Sequence, residues 1–169
     1  LGNQFLANIR ETDAIAHVVR CFENDDVVHV AGKVDPVSDI EVINTELALA
    51  DMETVEKAIQ RTGKLAKSGD KEAVRTMALL EKVGVALDQG KPARSLNLDK
   101  EEAALLKPLC LMTMKPTMYI ANVDEGGFSN NPHLEKVEQL AAREGAPVVA
   151  ICAAIEGEIA DLDEADKKE

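Results

Sequence analysis

Two short, uninterrupted apolar runs constrain this chain more than any other feature: Met118-Tyr119-Ile120-Ala121 and Pro147-Val148-Val149-Ala150-Ile151-Cys152. Strands covered on both faces read as continuous apolar stretches and need helical crossovers, which is the pattern of a parallel sheet. The crossover between these two is legible. Asn131 suits an N-cap and Pro132 the first helical position, while Leu134, Val137, Leu140 and Ala141 share one face and Gly145 fits a left-handed stop. A further strand is expected at His17-Val18-Val19-Arg20-Cys21-Phe22, after an amphipathic helix from Gly2 to Ala16 that carries Phe5, Leu6, Ile9 and Ile15. That strand should end at the polar break Glu23-Asn24-Asp25-Asp26, and a final acidic helix should run from about Glu158. Ligands of open α/β sheets lie beyond the carboxyl ends of the strands. Glu23, Asn122 and Cys152-Ala153-Ala154 are therefore expected along one edge.

Residues 37–107 lack strand signals and read as a helical insertion between parts of the sheet domain, here taken as 1–36 and 108–169. Ser38 and Glu41 have capping-box spacing, so a long helix should start there with Ile40, Ile43, Leu47, Met52, Val55 and Ile59 as its apolar stripe. Ser68-Gly69-Asp70 breaks it. A second helix follows with Val74, Met77, Leu80, Val83 and Leu87 on one side, ending at Gly90 and Pro92, so the pair forms an antiparallel, coiled-coil-like hairpin. Asp99 and Glu102 repeat the capping spacing and open a shorter helix that Pro108 ends.

A chain of 169 residues holds one compact core with room for an appended module. Aromatic residues make up 2%, so that core must be built from aliphatic side chains. The net charge of -12 argues against nonspecific attraction to a nucleic-acid backbone by this chain taken by itself, so an RNA-containing partner is expected to be gripped by other parts, and no sequence-specific DNA partner is expected. No apolar run is long enough for a membrane span. Cys21, Cys110 and Cys152 lack C-x-x-C spacing and read as reduced core thiols of a cytoplasmic protein. His17, His29 and His133 are scattered, and no metal site is expected from them. The acidic run Asp161, Asp163, Glu164, Asp166 reads as a solvated helix face. The start at Leu1-Gly2 suggests part of a longer protein.

The stretch Asn122-Val123-Asp124-Glu125 carries the chemistry. An Asn amide at a strand end offers an acceptor and two donors, enough to pair with N7 and the exocyclic group of a purine. Small residues such as Cys152-Ala153-Ala154 let a second loop bring backbone amides close to the ring. GTPases use N-K-x-D, whose short Asp accepts from guanine N1-H and the N2 amine together. Here Val123 replaces the Lys, and Glu125 is one methylene too long for the same bidentate grip. Leaving guanine's donors unpaired costs about 10⁴-fold in preference, by analogy with other hydrogen-bonding sites. Adenine is therefore expected.

The strings Gly2-Asn3-Gln4-Phe5-Leu6, Ile9-Arg10-Glu11-Thr12-Asp13, His17-Val18-Val19-Arg20-Cys21-Phe22, Asp39-Ile40-Glu41-Val42-Ile43-Asn44-Thr45-Glu46-Leu47 and the N-x-x-E stretch together resemble the Obg-like ATPase family called YchF, over nearly the whole chain. The resemblance implies a translation-factor-class P-loop NTPase, with a G-domain-like parallel sheet, an inserted helical hairpin and a C-terminal TGS domain. It implies ATP preferred over GTP, Mg2+ and association with ribosomes. Carried over by position, Asn122 reads the base, Val123 gives backbone or apolar contact to the adenine, Glu125 replaces the guanine-reading acid, and Cys152, Ala153 and Ala154 flank the base. The G-x-x-x-x-G-K-S/T loop, the magnesium ligands and the D-x-x-G switch do not occur in this sequence. They are expected upstream and the TGS domain downstream, so the chain by itself is expected not to hydrolyse ATP.

Two other readings fit the residues. One is a noncatalytic interaction module, in which the hairpin binds a protein and the sheet is scaffold; the other is a GTP-specific relative. The hairpin tip carries Lys64, Lys67 and Lys71 in an otherwise acidic chain, which suits contact with RNA of an assembled ribosome.

Overall fold

The computed structural model describes residues 2–23, 33–162 and 166. Asn24, Asp25, Asp26, His29, Asp163 and Glu164 lie outside them. The elements run α1 (Asn3–Arg10), β1 (Ile15–Arg20), α2 (Pro36–Lys67), α3 (Lys71–Asp88), α4 (Lys100–Leu106), β2 (Thr117–Asn122), α5 (Pro132–Glu144), β3 (Val148–Ile151) and α6 (Ala153–Ala160). By contacts the chain divides into two compact units, Leu1–Ile15 with Val42–Pro116, and Ala16–Glu41 with Thr117–Glu169.

The second unit holds a three-stranded parallel sheet in the order β1-β2-β3. Tyr119 pairs with Val148, Ile120 with Val149, Ala121 with Ala150, and Asn122 with Ile151. Since side chains alternate along a strand, Val19, Cys21, Tyr119, Ala121 and Val123 share one face. They are buried with Ile40, Cys152 and the inner face of α5, namely Leu134, Val137, Leu140 and Ala141. The α5 signals act as their residue types dictate. Asn131 Oδ1 accepts from the His133 and Leu134 amides, Pro132 is the first helical residue, and Gly145 ends the helix at φ +67°. The opposite sheet face leaves Val18 and Val149 exposed.

Several boundaries differ from expectation. The first helix stops at Arg10 rather than Ala16: Lys115 Nζ binds the carbonyls of Arg10 (2.8 Å) and Thr12, and the Ile15 amide donates to Pro116 O at 2.9 Å, beginning β1. The long helix starts at Pro36, not Ser38. Asp35 does the capping, its Oδ1 accepting from the Ser38 amide at 3.1 Å, and Pro fits the first turn because its missing N–H has no helical acceptor to lose. The last described helix begins at Ala153, ahead of the expected Glu158.

In the first unit, α2 and α3 are joined by Ser68-Gly69-Asp70, with Gly69 at φ +88° and Asp70 capping α3 through the Ala73 amide. The expected Asp99/Glu102 capping box is present in both directions. The apolar seam buries Val55, Ala58, Leu79, Leu80, Val83 and Leu87. Two residues assigned to the stripe fall elsewhere: Val74 is 52% exposed, and Ile40 packs in the sheet core. Cys110 also departs from the expected core thiol, being exposed at φ +50° after a 3₁₀ turn. No described helix is long and apolar enough to cross a membrane.

Asp51 is a buried acid in phase with Leu47 and Val55 on the inner face of α2. Its Oδ1 accepts from the Met112 amide at 2.9 Å, and its Oδ2 accepts from the Thr113 amide at 2.7 Å and the Thr113 hydroxyl at 2.6 Å. Thr113 Oγ1 also accepts from the Ala93 amide, so one carboxyl ties three segments of this unit. Burial pushes the Asp51 carboxyl above the ordinary range, against the hydrogen bonds and Arg10, which pull it down. A raised native pKa means the native state holds the proton more tightly than the unfolded chain. That contribution is complete below the unfolded value of about 4 and is lost as pH rises through the native one. Asp51→Asn presents an N–H where an amide or hydroxyl donor now points, and should cost about 1–3 kcal/mol. Urea denaturation across pH 4–8 should show the gap to wild type largest in acid and narrowing upward; a gap widening with pH would mean that the ionised carboxylate is the favoured native form.

Candidate functional site

The carboxyl ends of β2 and β3 finish at the same level because Asn122 is in register with Ile151. The chain continues past that level on both strands. The Val123 amide donates to Ile151 O at 2.8 Å, and the Cys21 amide, just after β1, donates to Asn122 O at 2.8 Å. Asn122 Oδ1 accepts from the Ala153 amide at 3.1 Å, so the strand-end Asn serves as a cap for the first turn of α6. Cys152, the N-cap residue of α6, supplies no capping side-chain bond, which is why an Asn from another strand can take the place. This bond occupies one lone pair of the amide oxygen and leaves its second lone pair and the Nδ2 amine.

Four of the six residues singled out from sequence therefore meet on one edge: Asn122, Val123, Cys152 and Ala153. Ala153 and its neighbour Ala154 are exposed in the first turn of α6. The Val123 side chain is 2% exposed and packs into the sheet core, so any contact it makes at the edge is through its backbone. Cys152 is buried in the same core. Glu125 is exposed in a turn, residues 124–127, closed by the Gly127 amide on Asp124 O at 2.9 Å. No hydrogen bond joins Glu125 to another described residue. Glu23, at the end of β1, lies 3.4 Å from His133 Nε2, while His133 Nδ1 is buried without a partner among the described residues. No group of three or more His, Cys, Asp and Glu among the described residues could hold a metal ion. Burial pushes the Cys21 thiol up to about 11, making it an inert packing group.

Two residues that sequence reasoning undervalued hold this edge in shape. A Cβ on Gly127 would lie 2.5 Å from Asp124 Oδ1, 3.0 Å from Val123 Cβ and 3.2 Å from the Asp124 amide nitrogen, so a larger residue would displace the Asp124 carboxylate and crowd the turn. Asn131, legible as a helix cap, also donates through Nδ2 to Cys21 O (2.8 Å) and Gly127 O (3.0 Å). Its position nine residues beyond Asn122 offers no periodic signal for those two bonds.

No protein-family model matches the chain. Curated proteins do. The ribosome-binding ATPase YchF of Haemophilus influenzae is 62% identical over 169 residues, covering 100% of this chain and 47% of that protein. The Bacillus subtilis ribosome-binding ATPase YchF is 51% identical over 171 residues, covering 99% and 47%. The solved structure of the Schizosaccharomyces pombe YchF GTPase superposes with a TM-score of 0.86 at 31% identity, over 98% of this chain and 47% of that one. This chain belongs to the YchF family. It spans about half the length of the curated relatives it matches. The resemblance noted on the N-x-x-E stretch and the N-terminal strings is thus shown over the full chain, and the α/β fold expected for a YchF P-loop protein is the fold observed. The bacterial YchF proteins carry the name ATPase and the fission-yeast YchF the name GTPase.

Asn131→Asp tests how the edge is held. Asp is as good an N-cap as Asn, but it turns two donors toward the Cys21 and Gly127 carbonyls into acceptors. Urea denaturation should show a loss of about 2 kcal/mol. A neutral result would reduce Asn131 to its capping role.

Proposed function

We propose that this chain forms the base-recognition side of a ribosome-associated, ATP-preferring YchF nucleotide hydrolase, with the helical hairpin as its inserted module. The observation that carries the reading is the bond from the Ala153 amide to Asn122 Oδ1. It joins the strand-end Asn to the small-residue turn of Cys152, Ala153 and Ala154, the two elements expected to flank a base. Asn122 Nδ2 donates to purine N7, and the second lone pair of Oδ1 accepts from the adenine amine. First-turn amides of α6 lack acceptors within the helix and face the ring from the other side. Val123 contributes through its backbone. Glu125 replaces the short acid that would accept from guanine N1-H and N2.

Phosphate binding, Mg2+ coordination and the hydrolytic step are assigned to residues outside this chain, whose sequence carries no G-x-x-x-x-G-K-S/T motif. Such a protein works in the cytoplasm, where ribosomes are. The fission-yeast relative's description as a GTPase favours a second reading, in which Glu125 is seated against guanine.

Titration calorimetry on the full-length protein should find ATP bound more tightly than GTP, and Asn122→Ala should weaken both by about 10- to 100-fold, since N7 is common to both bases. Glu125→Asp should raise GTP affinity while leaving ATP affinity nearly unchanged. Installing the cationic residue of GTPases at Val123 is a poorer test, because it would bury a lysine in the sheet core. An equal or reversed preference in the wild type would defeat the ATP reading.

A further inference from the structure

The turn between α2 and α3 gathers unpaired positive charge. From residue 60 to residue 75 the basic residues are Arg61, Lys64, Lys67, Lys71 and Arg75, against Asp70 and Glu72, in a chain whose net charge is -12. Arg61, Lys64, Lys67 and Lys71 are all exposed. Arg75 is bound to Glu101 at 2.9 Å, and farther down the hairpin Lys57 is bound to Glu53 at 2.5 Å. None of the four exposed tip cations has such an ion pair among the described residues.

Local helix energetics account for only part of this. Lys64 and Lys67 occupy the last turn of α2, where a cation meets the negative end of the helix dipole. Lys71 is the first residue of α3, where the dipole end is positive and a cation is disfavoured. Its charge is therefore carried against the local field. The tip is also built to hold its form, with Gly69 at φ +88° and Asp70 spent on the Ala73 amide at 2.8 Å, which partly masks the nearest acid. A compact group of flexible ammonium donors, free of acidic partners, fits closely spaced phosphates on a nucleic-acid backbone, for which lysine acts as a point charge.

We propose that the α2–α3 tip, through Lys64, Lys67 and Lys71 with Arg61 beside them, is a phosphate-backbone contact for structured RNA, read by charge and shape rather than by base. The proposal rests on the ribosome association put forward above and names its contact. The net negative charge of the chain as a whole opposes RNA, so a local excess of positive charge at the tip gives binding an orientation.

The test uses the full-length protein and a Lys64→Gln/Lys67→Gln/Lys71→Gln variant, with Lys64→Arg/Lys67→Arg/Lys71→Arg as the charge-preserving control. Co-sedimentation with purified ribosomes and binding to protein-free ribosomal RNA are both measured from 50 to 250 mM KCl. The Gln variant should bind at least tenfold more weakly to both at 100 mM KCl, with a log affinity against log salt slope shallower by about two to three, and the Arg control should match wild type. Unchanged affinity and slope in the Gln variant would overturn the tip assignment alone. Loss on ribosomes with unchanged binding to bare RNA would assign the tip to an acidic protein surface and also overturn it. A wild-type protein that does not sediment with ribosomes would overturn the functional reading itself, whereas unchanged ATP affinity in the Gln variant keeps the two sites separate.

Discussion

The candidate edge depends on a single carboxamide. Asn131 has two N–H donors and one oxygen with two lone pairs, and all four are used: donors to Cys21 O and Gly127 O, lone pairs to the His133 and Leu134 amides. One side chain thereby fixes the exit of β1, the turn that carries Glu125 and the entry of α5. Strand pairing alone would not do this, because ladder bonds end where the strands end. Asn122 performs the complementary task on the other side, linking β2 to α6. A base-reading edge made of loops gains its precision from such shared amides, since loops without them must be ordered at an entropic cost when ligand arrives.

What sequence shows and what it hides divide along the same physical line. Local chemistry is legible: Pro132 and Gly145 bound α5, Asp99 and Glu102 form their capping box, and Gly69 turns the hairpin, because each signal acts within a few residues. Long-range choices are not. α1 ends at Arg10, where Lys115, far along the chain, binds the carbonyl of that last residue and of Thr12 beyond it, and the hydrophobic spacing through Ile15 continues smoothly into a strand. Val123 reads equally well as a base contact or a core residue by type; strand parity after Tyr119 and Ala121 puts it in the core. The same parity was available in the sequence, and it outweighs the analogy with a lysine at that position. For the candidate site, the strand-end Asn and the small-residue turn were legible, while the Asn131 and Gly127 supports needed tertiary contacts to be seen.

Asp51 shows the reverse case, in which a pattern contains the answer but its residue type conceals it. Leu47, Asp51, Val55 and Ala58 follow helical spacing, and the other three are buried. Taken strictly, the phase places the carboxyl inside. Charge makes that reading look wrong until Thr113 and the Met112 amide supply three donors from a distant segment. Such a network specifies one alignment of α2 against those turns, because sliding by a residue would strand a buried acid without its donors.

If the edge holds a purine as proposed, the choice between adenine and guanine follows from the groups left to face it. N7 is common to both bases, so Asn122 Nδ2 would give affinity without discrimination, and the decision would fall to groups near N1, C6 and C2. With Val123 committed to the core, it offers the ring no cationic stem, and Glu125 stands exposed on the turn with no hydrogen bond to another described residue. Seating a glutamate where an aspartate would do adds one rotatable bond, a penalty of about 0.5–1 kcal/mol, or only a few-fold in affinity. Leaving guanine's donors unpaired costs far more, about 10⁴-fold. The preference is therefore set less by the extra methylene itself than by whether the turn lets the carboxylate reach the ring. On that reading Gly127 and Asn131, which shape the turn, would tune specificity without touching the nucleotide.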